Sequence, residues 1–331
     1  MPREEFPCIT VVIPVYNAGQ YLKNSMQCLV HQTYENLDII LINDGSTDNS
    51  AEICREYSQT DSRIRMFSQK NSGQASARNR GIEEAYGDYI LFLDADDLYA
   101  CDIVEYLYDL LKRTESDISI CRYIKFWDEA EILGGQDTRA EEKVYSPQQA
   151  ISLLCYQKTF NNSPCKLFKK SIFENIRFPE NKGFEDLAII YQTFGKAKRI
   201  VNSNKLLYFY RQHSDSTMYQ KFSAKRMDRV YVSLELLKYV EKNFPSIKKA
   251  AYHRVFISAL QVIREIPLEA KYEKDREYIF SIIKKYRNIV LSDTQVRLEN
   301  KIMALSSYGG AGFLHFLGVI YDRIINRTSK G

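Results

Sequence analysis

Three aspartates, Asp94, Asp96 and Asp97, follow directly after the apolar run 89–93. Like charges a few ångströms apart repel one another unless a partner neutralises them. Capping of the helix expected near residue 102 would account for one or two of them, but not for three. Carboxylate oxygens are ligands that Mg²⁺ and Mn²⁺ prefer. The cluster therefore predicts a divalent cation site at the end of a buried strand.

Two other expected strands also end in residues with binding chemistry. Asp44 follows the apolar run 37–43, and Tyr16 follows the run 8–15. A carboxylate can accept a hydrogen bond from the N–H of a nucleobase, and an aromatic ring can stack on the same base. A turn that caps the next helix is the simpler explanation for the Asp44 segment, and the two explanations are compatible. Together the two residues predict a nucleotide pocket.

The segment 71–81 opens a helix with small residues and two arginines, Arg78 and Arg80. Helix N-termini attract phosphate, and the guanidinium fork binds it through two parallel hydrogen bonds. A solvated helix face is a sufficient explanation for Arg80. Because Arg78 shares a face with Ala75 and Ile82, it is the better candidate for a phosphate contact.

These polar clusters are positioned by a regular alternation of strand and helix patterns. The expected strands are 8–15, 37–43, 64–67 and 88–94, and the expected helices are 18–32, 47–59, 74–86 and 102–113. Such alternation builds a parallel sheet with helices on both faces. Ligands of such sheets bind beyond the carboxyl ends of the strands. The polar clusters lie at those ends, so several independent segments converge on one edge of the sheet.

The pattern changes along the rest of the chain. A strand near 117–126, a polar excursion at 127–145, a helix at 146–157 and two short strands near 198–202 and 205–211 come first. Long helical patterns then dominate, at 222–243, 246–266, 272–290, 292–306 and 312–327. We therefore predict an α/β domain over residues 1–220 and a helical C-terminal region over residues 221–331.

Composition limits the class of protein. The 331 residues carry 46 basic and 42 acidic side chains, a net charge of +4 that gives no support to a nucleic-acid binder. Seven cysteines are scattered singly without a C-x-x-C pair, which predicts reduced thiols in a cytosolic protein and no zinc site. The N-terminus leads straight into a strand, and no apolar run approaches the roughly 20 residues of a membrane span. We expect neither a signal peptide nor a transmembrane helix.

Four segments in natural order, ITVVIPVYNAGQYL, IILINDGSTDNS, NSGQASARNRGI and DYILFLDADD, resemble the nucleotide-sugar half of family 2 glycosyltransferases. This large bacterial family builds surface polysaccharides. The resemblance covers roughly residues 8–215. It implies a GT-A fold, a Rossmann-like α/β architecture with a mostly parallel sheet, here followed by the helical C-terminal region.

The resemblance also implies roles for individual residues. It implies that Tyr16 packs on the nucleobase, that Asp44 bonds the edge of the base, and that Arg78 approaches the diphosphate or base. The full set implied to bind the nucleotide sugar is Pro14, Tyr16, Asn17, Asp44, Asn71, Arg78, Asp94, Ala95 and Arg211. The implied metal-binding residues are Asp96, Asp97 and His213. How the aspartates divide ribose and metal between them stays open, and His213 could instead be a packing residue.

The acidic pair Glu185 and Asp186 in GFEDLAIIY matches the family's catalytic base, with Asp186 as the base and Glu185 as its neighbour. Acidic residues at the start of a helix running to Phe194 are the alternative. The implied reaction is an inverting single displacement. Arg78 and Mn²⁺ or Mg²⁺ stabilise the departing diphosphate, and Asp186 takes the proton of the acceptor hydroxyl. The donor is expected to be UDP-linked, and the acceptor to be a saccharide, a lipid-linked saccharide or a glycoprotein.

Two other functions share parts of this pattern. A nucleotidyltransferase would carry a Gly/Arg-rich phosphate loop after the first strand, where this chain has residues 16–19, Tyr-Asn-Ala-Gly. A catalytically silent sugar-nucleotide-binding subunit would not need Asp94, Asp96 and Asp186 intact.

The C-terminal segment 312–327 carries Phe313 and Leu317 on one helical face and Arg323 toward the other. It predicts a core-packing or homodimer-forming helix or, alternatively, a helix on a membrane surface. The expected location is cytoplasmic. If the helix lies on a membrane surface, the protein would attach peripherally to the inner face of the plasma membrane.

Overall fold

The computed structural model describes residues 6–129, 140–159, 162–213 and 222–318. Its central strands are buried because helices cover both faces of the sheet. Every residue of Leu37–Asn43 is buried, and so are six of the seven residues of Ile9–Val15. These are the two continuous apolar runs that predict strands of this kind.

The strands form one sheet. Their bounds are β1 Ile9–Val15, β2 Leu37–Asn43, β3 Ile64–Ser68, β4 Tyr89–Phe92, β5 Leu98–Tyr99, β6 Ile118–Phe126, β7 Glu142–Tyr145, β8 Lys166–Lys169 and β9 Ile200–Arg211. Along the sheet the order is β3-β2-β1-β4-β8-β6-β9-β5, with β7 paired to β9. The first four strands run parallel, and β6 runs parallel to β9. Strands β5, β7 and β8 pair antiparallel with their neighbours.

Helices connect the parallel strands and make up most of the C-terminal residues. Their bounds are α1 Gly19–Val30, α2 Ser50–Thr60, α3 Gln74–Glu84, α4 Ile103–Arg113, α5 Pro147–Cys155, α6 Glu185–Lys196, α7 Asp228–Asn243, α8 Lys248–Glu265, α9 Glu273–Ser292 and α10 Leu298–Ser306. Residues 311–318 are also helical. The predicted α/β class, the mostly parallel central sheet and the helical C-terminal region are confirmed.

Several local predictions were wrong. The two short strands expected near 198–202 and 205–211 are the single strand β9, although Asn202-Ser203-Asn204 reads as a turn. The polar groups of this segment instead bond neighbouring elements, since Ser203 Oγ lies 2.7 Å from Tyr106 Oη and Asn204 Oδ1 accepts from the Glu141 N–H at 2.8 Å. The polar excursion 127–145 contains β7.

The helix expected from residue 222 is also shorter than predicted. A 3₁₀ turn, Ala224–Met227, precedes α7, which begins at Asp228. Of the helix expected at 312–327, the part up to residue 318 is helical, and residues 319–327 lie outside the described residues.

The chain divides into two compact units. The first comprises residues 1–150, 161–181 and 189–219, and the second comprises residues 151–160, 182–188 and 220–331. The sheet and the carboxyl ends of its strands belong to the first unit. Two short segments from the middle of the chain therefore belong with the C-terminal helices, and the second of them contains Glu185 and Asp186.

A close helix–strand contact in the first unit depends on a glycine. A Cβ atom at Gly81 of α3 would lie 2.2 Å from Val12 Cγ1 and 2.9 Å from Val12 Cγ2, and Val12 of β1 is completely buried. Since Val12 is packed on all sides, it cannot move away cheaply.

We therefore predict that Gly81→Ala lowers the free energy of unfolding by about 1–3 kcal/mol, despite the better helix propensity of alanine. Chemical denaturation measures the change. Gly312→Ala is the matched control, because nothing lies within 4 Å of its Cβ position. It should leave stability unchanged or raise it by up to about 1 kcal/mol. Equal effects of the two substitutions would contradict the packing argument.

Candidate functional site

The predicted site lies at one edge of the first unit. Strands β1 and β2 end level with one another, since Val15 pairs with Asn43, and β4 runs parallel to β1. Segment 94–97, which follows β4 and is here called the aspartate loop, therefore lies at the same edge as the turns after β1 and β2. The convergence predicted from the sequence is present in the fold.

Asp94 is held by helix α3. The Arg78 guanidinium donates from Nη2 to Asp94 Oδ1 at 3.0 Å, and Gln74 Nε2 donates to the same oxygen at 3.0 Å. Arg78 is 1% exposed, and its guanidinium carbon lies 5.3 Å from the centre of the Phe178 ring. Because Arg78 is buried beside Asp94, it supplies a fixed positive charge under the aspartate loop.

Asp97, the last residue of the aspartate loop, is completely buried. The Tyr208 hydroxyl donates to Asp97 Oδ2, and the Arg211 backbone N–H donates to Asp97 Oδ1 at 2.8 Å. Burial, followed by the charges of Asp96 and Asp94, raises the pKa of Asp97 well above its usual range. Asp97 thus ties the aspartate loop to β9.

Asp96 is the carboxylate of the three that faces a histidine. Its side chain is 33% exposed, and Oδ2 lies 3.2 Å from His213 Nε2. The imidazole packs against Tyr21, with 5.3 Å between ring centres. The other ring nitrogen, Nδ1, is buried and finds no hydrogen-bond partner among the residues that the structure describes.

Arg211 fixes the backbone on the other side of Asp96. Its Nε donates to the Asp96 carbonyl oxygen at 2.8 Å, and its Nη2 donates to Glu129 Oε1 at 2.7 Å. The guanidinium carbon lies 4.9 Å from the Tyr21 ring centre and 4.7 Å from that of Phe126. The Arg211 guanidinium, and after it the amide of Asn24, lower the pKa of Glu129. The side chain of Arg211 therefore supports the loop.

Two further hydroxyl groups hold the backbone of the aspartate loop. Ser25 Oγ of α1 lies 2.9 Å from the carbonyl oxygen of Ala95 and 2.6 Å from that of Asp97. The Tyr99 hydroxyl donates to the carbonyl oxygen of Asp94. Ala95 is buried at 6% exposure. The loop is thus fixed from α1, α3, β5 and β9 at once.

Asp44 organises the loop that precedes α3. Asp44 is buried, and Oδ1 accepts from Gln69 Nε2 and the Ser72 N–H, both at 2.9 Å, while Oδ2 accepts from the Gly73 N–H at 2.8 Å. Next to it, Gly45 has a φ of +73°, and a Cβ there would lie 2.7 Å from the Asn71 nitrogen. Asp44 therefore shapes the segment that contains Asn71.

The turn after β1 presents Tyr16 at 52% exposure. Asn17, with a φ of +48°, accepts from the Thr47 N–H at 2.8 Å through Oδ1, and its own N–H donates to Ser46 Oγ at 3.2 Å. Pro14 lies within β1 and pairs with Ile42. Asn17 locks the turns after β1 and β2 together, which leaves the ring of Tyr16 at the surface of the site.

Glu185 and Asp186 are the first two residues of α6, where acidic side chains favour a helix N-terminus. Both are half-buried. They belong to the second unit, whereas the nine residues predicted to bind the nucleotide sugar and the three predicted to bind metal all belong to the first.

The donor set fits a divalent cation with few protein ligands. A carboxylate oxygen and an imidazole nitrogen 3.2 Å apart match the spacing of about 3 Å between adjacent ligands of an octahedral ion. Among the residues that the structure describes, no three or more His, Cys, Asp or Glu side chains form a metal-binding group. A cation held by Asp96 and His213 would need the remaining ligands from waters and phosphates, as Mg²⁺ commonly does.

Sequence reasoning missed several residues that support the site, among them Ser25, Gln74, Glu129 and Tyr208. Gln74 has a local signal, because it lies one helical turn before Arg78 and thus on the same face. Ser25 and Tyr208 contact the aspartate loop from 70 and 111 positions away in the sequence, and Glu129 contacts Arg211 from 82 positions away. No local sequence pattern marks these contacts.

Comparison with known proteins gives a family match over half of the chain. The model for glycosyl transferase family 2 matches residues 10–177, which include β2, β4, the aspartate loop and all of β1 except its first residue. Asp186, Arg211 and His213 follow the matched range.

Curated relatives give the same result. Glycosyltransferase GlyG of Streptococcus pneumoniae is 36% identical over 225 residues, which are 65% of this chain and 74% of GlyG. The cholesterol galactosyltransferase of Borreliella burgdorferi is 30% identical over 213 residues, 61% of this chain and 59% of that protein. The match thus covers less than two thirds of the second relative.

Solved structures share the fold. Residues 1–349 of S. aureus TarS, in complex with UDP-GlcNAc, superpose with a TM-score of 0.65 at 15% identity, covering 91% of each chain. The mannosyltransferase PcManGT of Pyrobaculum calidifontis, in complex with GDP-Man and Mn²⁺, gives a TM-score of 0.54 at 17% identity, covering 92% of this chain and 87% of PcManGT. These likenesses show the GT-A fold and confirm the predicted fold class.

The buried contacts of Asp97 generate a prediction about stability. Asp97→Ala should lower the free energy of unfolding by about 1–3 kcal/mol, because it leaves the Tyr208 hydroxyl and the Arg211 N–H buried without an acceptor. Asp97→Asn is the matched control. Its amide oxygen can accept from the Arg211 N–H while its NH₂ donates to the Tyr208 oxygen, so its stability should stay within about 1 kcal/mol of wild type. Denaturant unfolding compares the variants, and an Ala variant as stable as the Asn variant would refute a positioning role.

Proposed function

Because the chain belongs to glycosyltransferase family 2, we propose that it transfers a sugar from a nucleoside-diphosphate sugar with the help of a divalent metal. The proposed nucleotide is UDP, and the proposed acceptor is a hydroxyl group of a saccharide, a lipid-linked saccharide or a glycoprotein. The observation that carries the metal-dependent mechanism is the pairing of half-exposed Asp96 with His213 beside the Arg78-held carboxylate of Asp94.

The donor proposal rests on the turns at the strand ends. The exposed ring of Tyr16 is available to stack on a base, and Asp44 shapes the loop with Asn71 at the same edge. The family resemblance assigns base-edge binding to Asp44. Since its carboxylate already accepts three hydrogen bonds, we propose that it acts mainly by presenting the loop to the nucleotide. The UDP-GlcNAc and GDP-Man complexes of TarS and PcManGT support a nucleotide-sugar donor.

The three aspartates take separate roles in this proposal. Asp94, oriented by Arg78 and Gln74, faces the ribose and diphosphate, and Asp96 and His213 hold Mn²⁺ or Mg²⁺. When bound, the cation neutralises charge on the leaving diphosphate. Asp97 and Arg78 are both buried, so they act through their neighbours: Asp97 positions Asp96, and Arg78 orients Asp94. The Mn²⁺ in the PcManGT complex supports a divalent cation.

The proposed displacement is a single inverting step. Asp186 accepts the proton of the acceptor hydroxyl as its oxygen forms the new bond to C1 of the sugar and the bond from C1 to the diphosphate breaks. Glu185 is the neighbouring carboxylate. No covalent bond to the enzyme forms, so no nucleophilic side chain is required. A product anomer opposite to that of the donor would support this step.

A lipid acceptor has support from one relative, which is named for galactosyl transfer to cholesterol. A cytoplasmic location is also part of the proposal, and it is supported by seven cysteines that are all free thiols. No helix in the described part of the chain is long and apolar enough to cross a bilayer.

The proposed function predicts metal-dependent turnover of a nucleotide sugar. In a panel of UDP- and GDP-sugars with Mn²⁺ and mixed saccharide acceptors, we expect release of the nucleoside diphosphate from a UDP-sugar and loss of the signal with a chelator. Asp96→Asn should raise the Mn²⁺ concentration for half-maximal rate by about tenfold or more, since it removes a charged ligand.

The matched control is Asp88→Asn, an exposed aspartate beside the opposite end of β4, which should behave as wild type. Release of pyrophosphate would indicate a nucleotidyltransferase instead, and binding without turnover would indicate a silent subunit. Turnover that survives chelation and Asp96→Asn would exclude the metal role.

The proposed base predicts a separation of binding from catalysis. Asp186→Asn should lower kcat by about 10²–10⁴-fold while the donor Kd, measured by calorimetry, stays within about twofold of wild type. Glu185→Gln is the neighbouring control and should lower kcat far less. A loss of donor binding in Asp186→Asn, or equal losses of rate in both variants, would count against Asp186 as the base.

A further inference from the structure

Six large apolar side chains are exposed within one short stretch of the second unit. They are Leu298 (74%), Ile302 (53%), Leu305 (59%), Tyr308 (55%), Phe313 (43%) and Phe316 (58%). Elsewhere in the described chain, exposed side chains of this size are scattered through the sequence. An exposed apolar patch of this extent marks an interaction surface. We call these six residues the apolar face.

Helix α10 carries the first half of the apolar face. Its three members, Leu298, Ile302 and Leu305, recur at positions i, i+4 and i+7 and therefore lie on one side of the helix. The other side is packed, since Ala304 is completely buried and Asn300 Nδ2 lies 3.2 Å from His253 Nε2 of α8. The helix is thus anchored to the second unit with its apolar residues directed away from the core.

The second half follows the turn after α10. Arg287 of α9 lies over the ring of Tyr308, 3.6 Å from its centre, and a Cβ at Gly309 would lie 2.7 Å from the Phe313 ring. In the helix 311–318, Leu314 is completely buried, so the side opposite the exposed phenylalanines is the packed side. The aromatic residues are therefore held in place without their exposed surface being covered.

The excess of basic residues in the C-terminal part of the chain indicates a negatively charged partner. Residues 222–331 carry 20 Lys and Arg against 11 Asp and Glu, while residues 1–221 carry 26 against 31. Beside the apolar face, the side chain of Arg297 is 54% exposed and lies 3.6 Å from the carboxylate of Glu299, and Lys301 follows on α10, so two basic side chains stand against one acidic one. The sequence after the described residues, 319–331, adds three basic residues and one acidic residue. An apolar face in a basic region matches a surface with apolar chains beneath negative charges.

We propose that the apolar face docks on an anionic phospholipid surface, with α10 and the helix 311–318 lying in the plane of the headgroups. Exposed leucine, isoleucine and phenylalanine side chains enter the acyl region, and the flanking lysine and arginine side chains contact the headgroups. A second copy of this chain is the less favourable partner, because a symmetric contact through this face brings two basic regions together. The surface extends the predicted membrane contact at 312–327 to α10.

Docking on lipid would place the enzyme where lipid-linked acceptors are found. That consequence rests on the proposed function, whereas the docking itself does not depend on the transfer reaction. The two therefore have separate readouts: vesicle binding for the docking, and nucleoside diphosphate release in solution for the reaction.

Flotation of the full chain with vesicles tests the proposal. We expect it to float with vesicles of phosphatidylglycerol and phosphatidylcholine, less at high salt, and poorly with phosphatidylcholine alone. The variant Leu298→Ser/Leu305→Ser/Phe316→Ser should lower the vesicle-bound fraction about tenfold or more. Its nucleoside diphosphate release in solution and its melting temperature should stay at the wild-type values, because the three side chains are exposed.

The matched control is Leu268→Ser, which removes a leucine of the same unit that is 61% exposed but lies outside the apolar face. It should float as the wild type does. The proposal is overturned if the full chain does not float, or if the triple variant floats as well as wild type. It is also overturned if light scattering shows a dimer that the triple variant abolishes, which would assign the face to a second copy. Flotation that appears only after removal of residues 319–331 would overturn it as well, because the face would then belong to that segment.

Discussion

Repulsion among Asp94, Asp96 and Asp97 is the constraint on which the site depends. The structure relieves it by giving each carboxylate a different environment. Asp94 is paired with a buried arginine, Asp97 is buried with its pKa raised, and Asp96 faces His213 at the surface. The sequence predicts a cation that neutralises all three aspartates. In the structure, only Asp96 would still require one.

This division depends on elements far apart in the sequence. The loop receives Ser25 from α1, Arg78 from α3, and Tyr208 and Arg211 from β9, so its geometry is complete only when β9 has joined the sheet. Because the loop backbone is held on several sides, Asp96 has little freedom to move. A rigid carboxylate and one imidazole would leave the remaining coordination of a cation to phosphates and water, so the proposed site would couple metal binding to the nucleotide.

Local patterns in the sequence predicted much of this arrangement. Strand β2 matches its expected range, 37–43, because a continuous apolar run is the signature of a strand buried on both faces. The same patterns could not separate the roles of the aspartates, since Asp96 meets His213 across 117 positions and Asp97 meets Tyr208 across 111. The sequence pattern predicts two strands in place of β9 because of the Asn-Ser-Asn segment, where a bond to α4 and pairing with β7 override turn propensity.

The central claim is that Asp96 and His213 form an incomplete cation site that the diphosphate of the nucleotide completes. Titration of Mn²⁺ followed by electron paramagnetic resonance, with and without UDP, tests it directly. We predict weak binding of Mn²⁺ to the protein alone and binding at least about tenfold tighter with UDP present, a gain that Asp96→Asn removes. Equal affinity for Mn²⁺ with and without UDP, or a UDP-dependent gain that survives Asp96→Asn, would contradict the account.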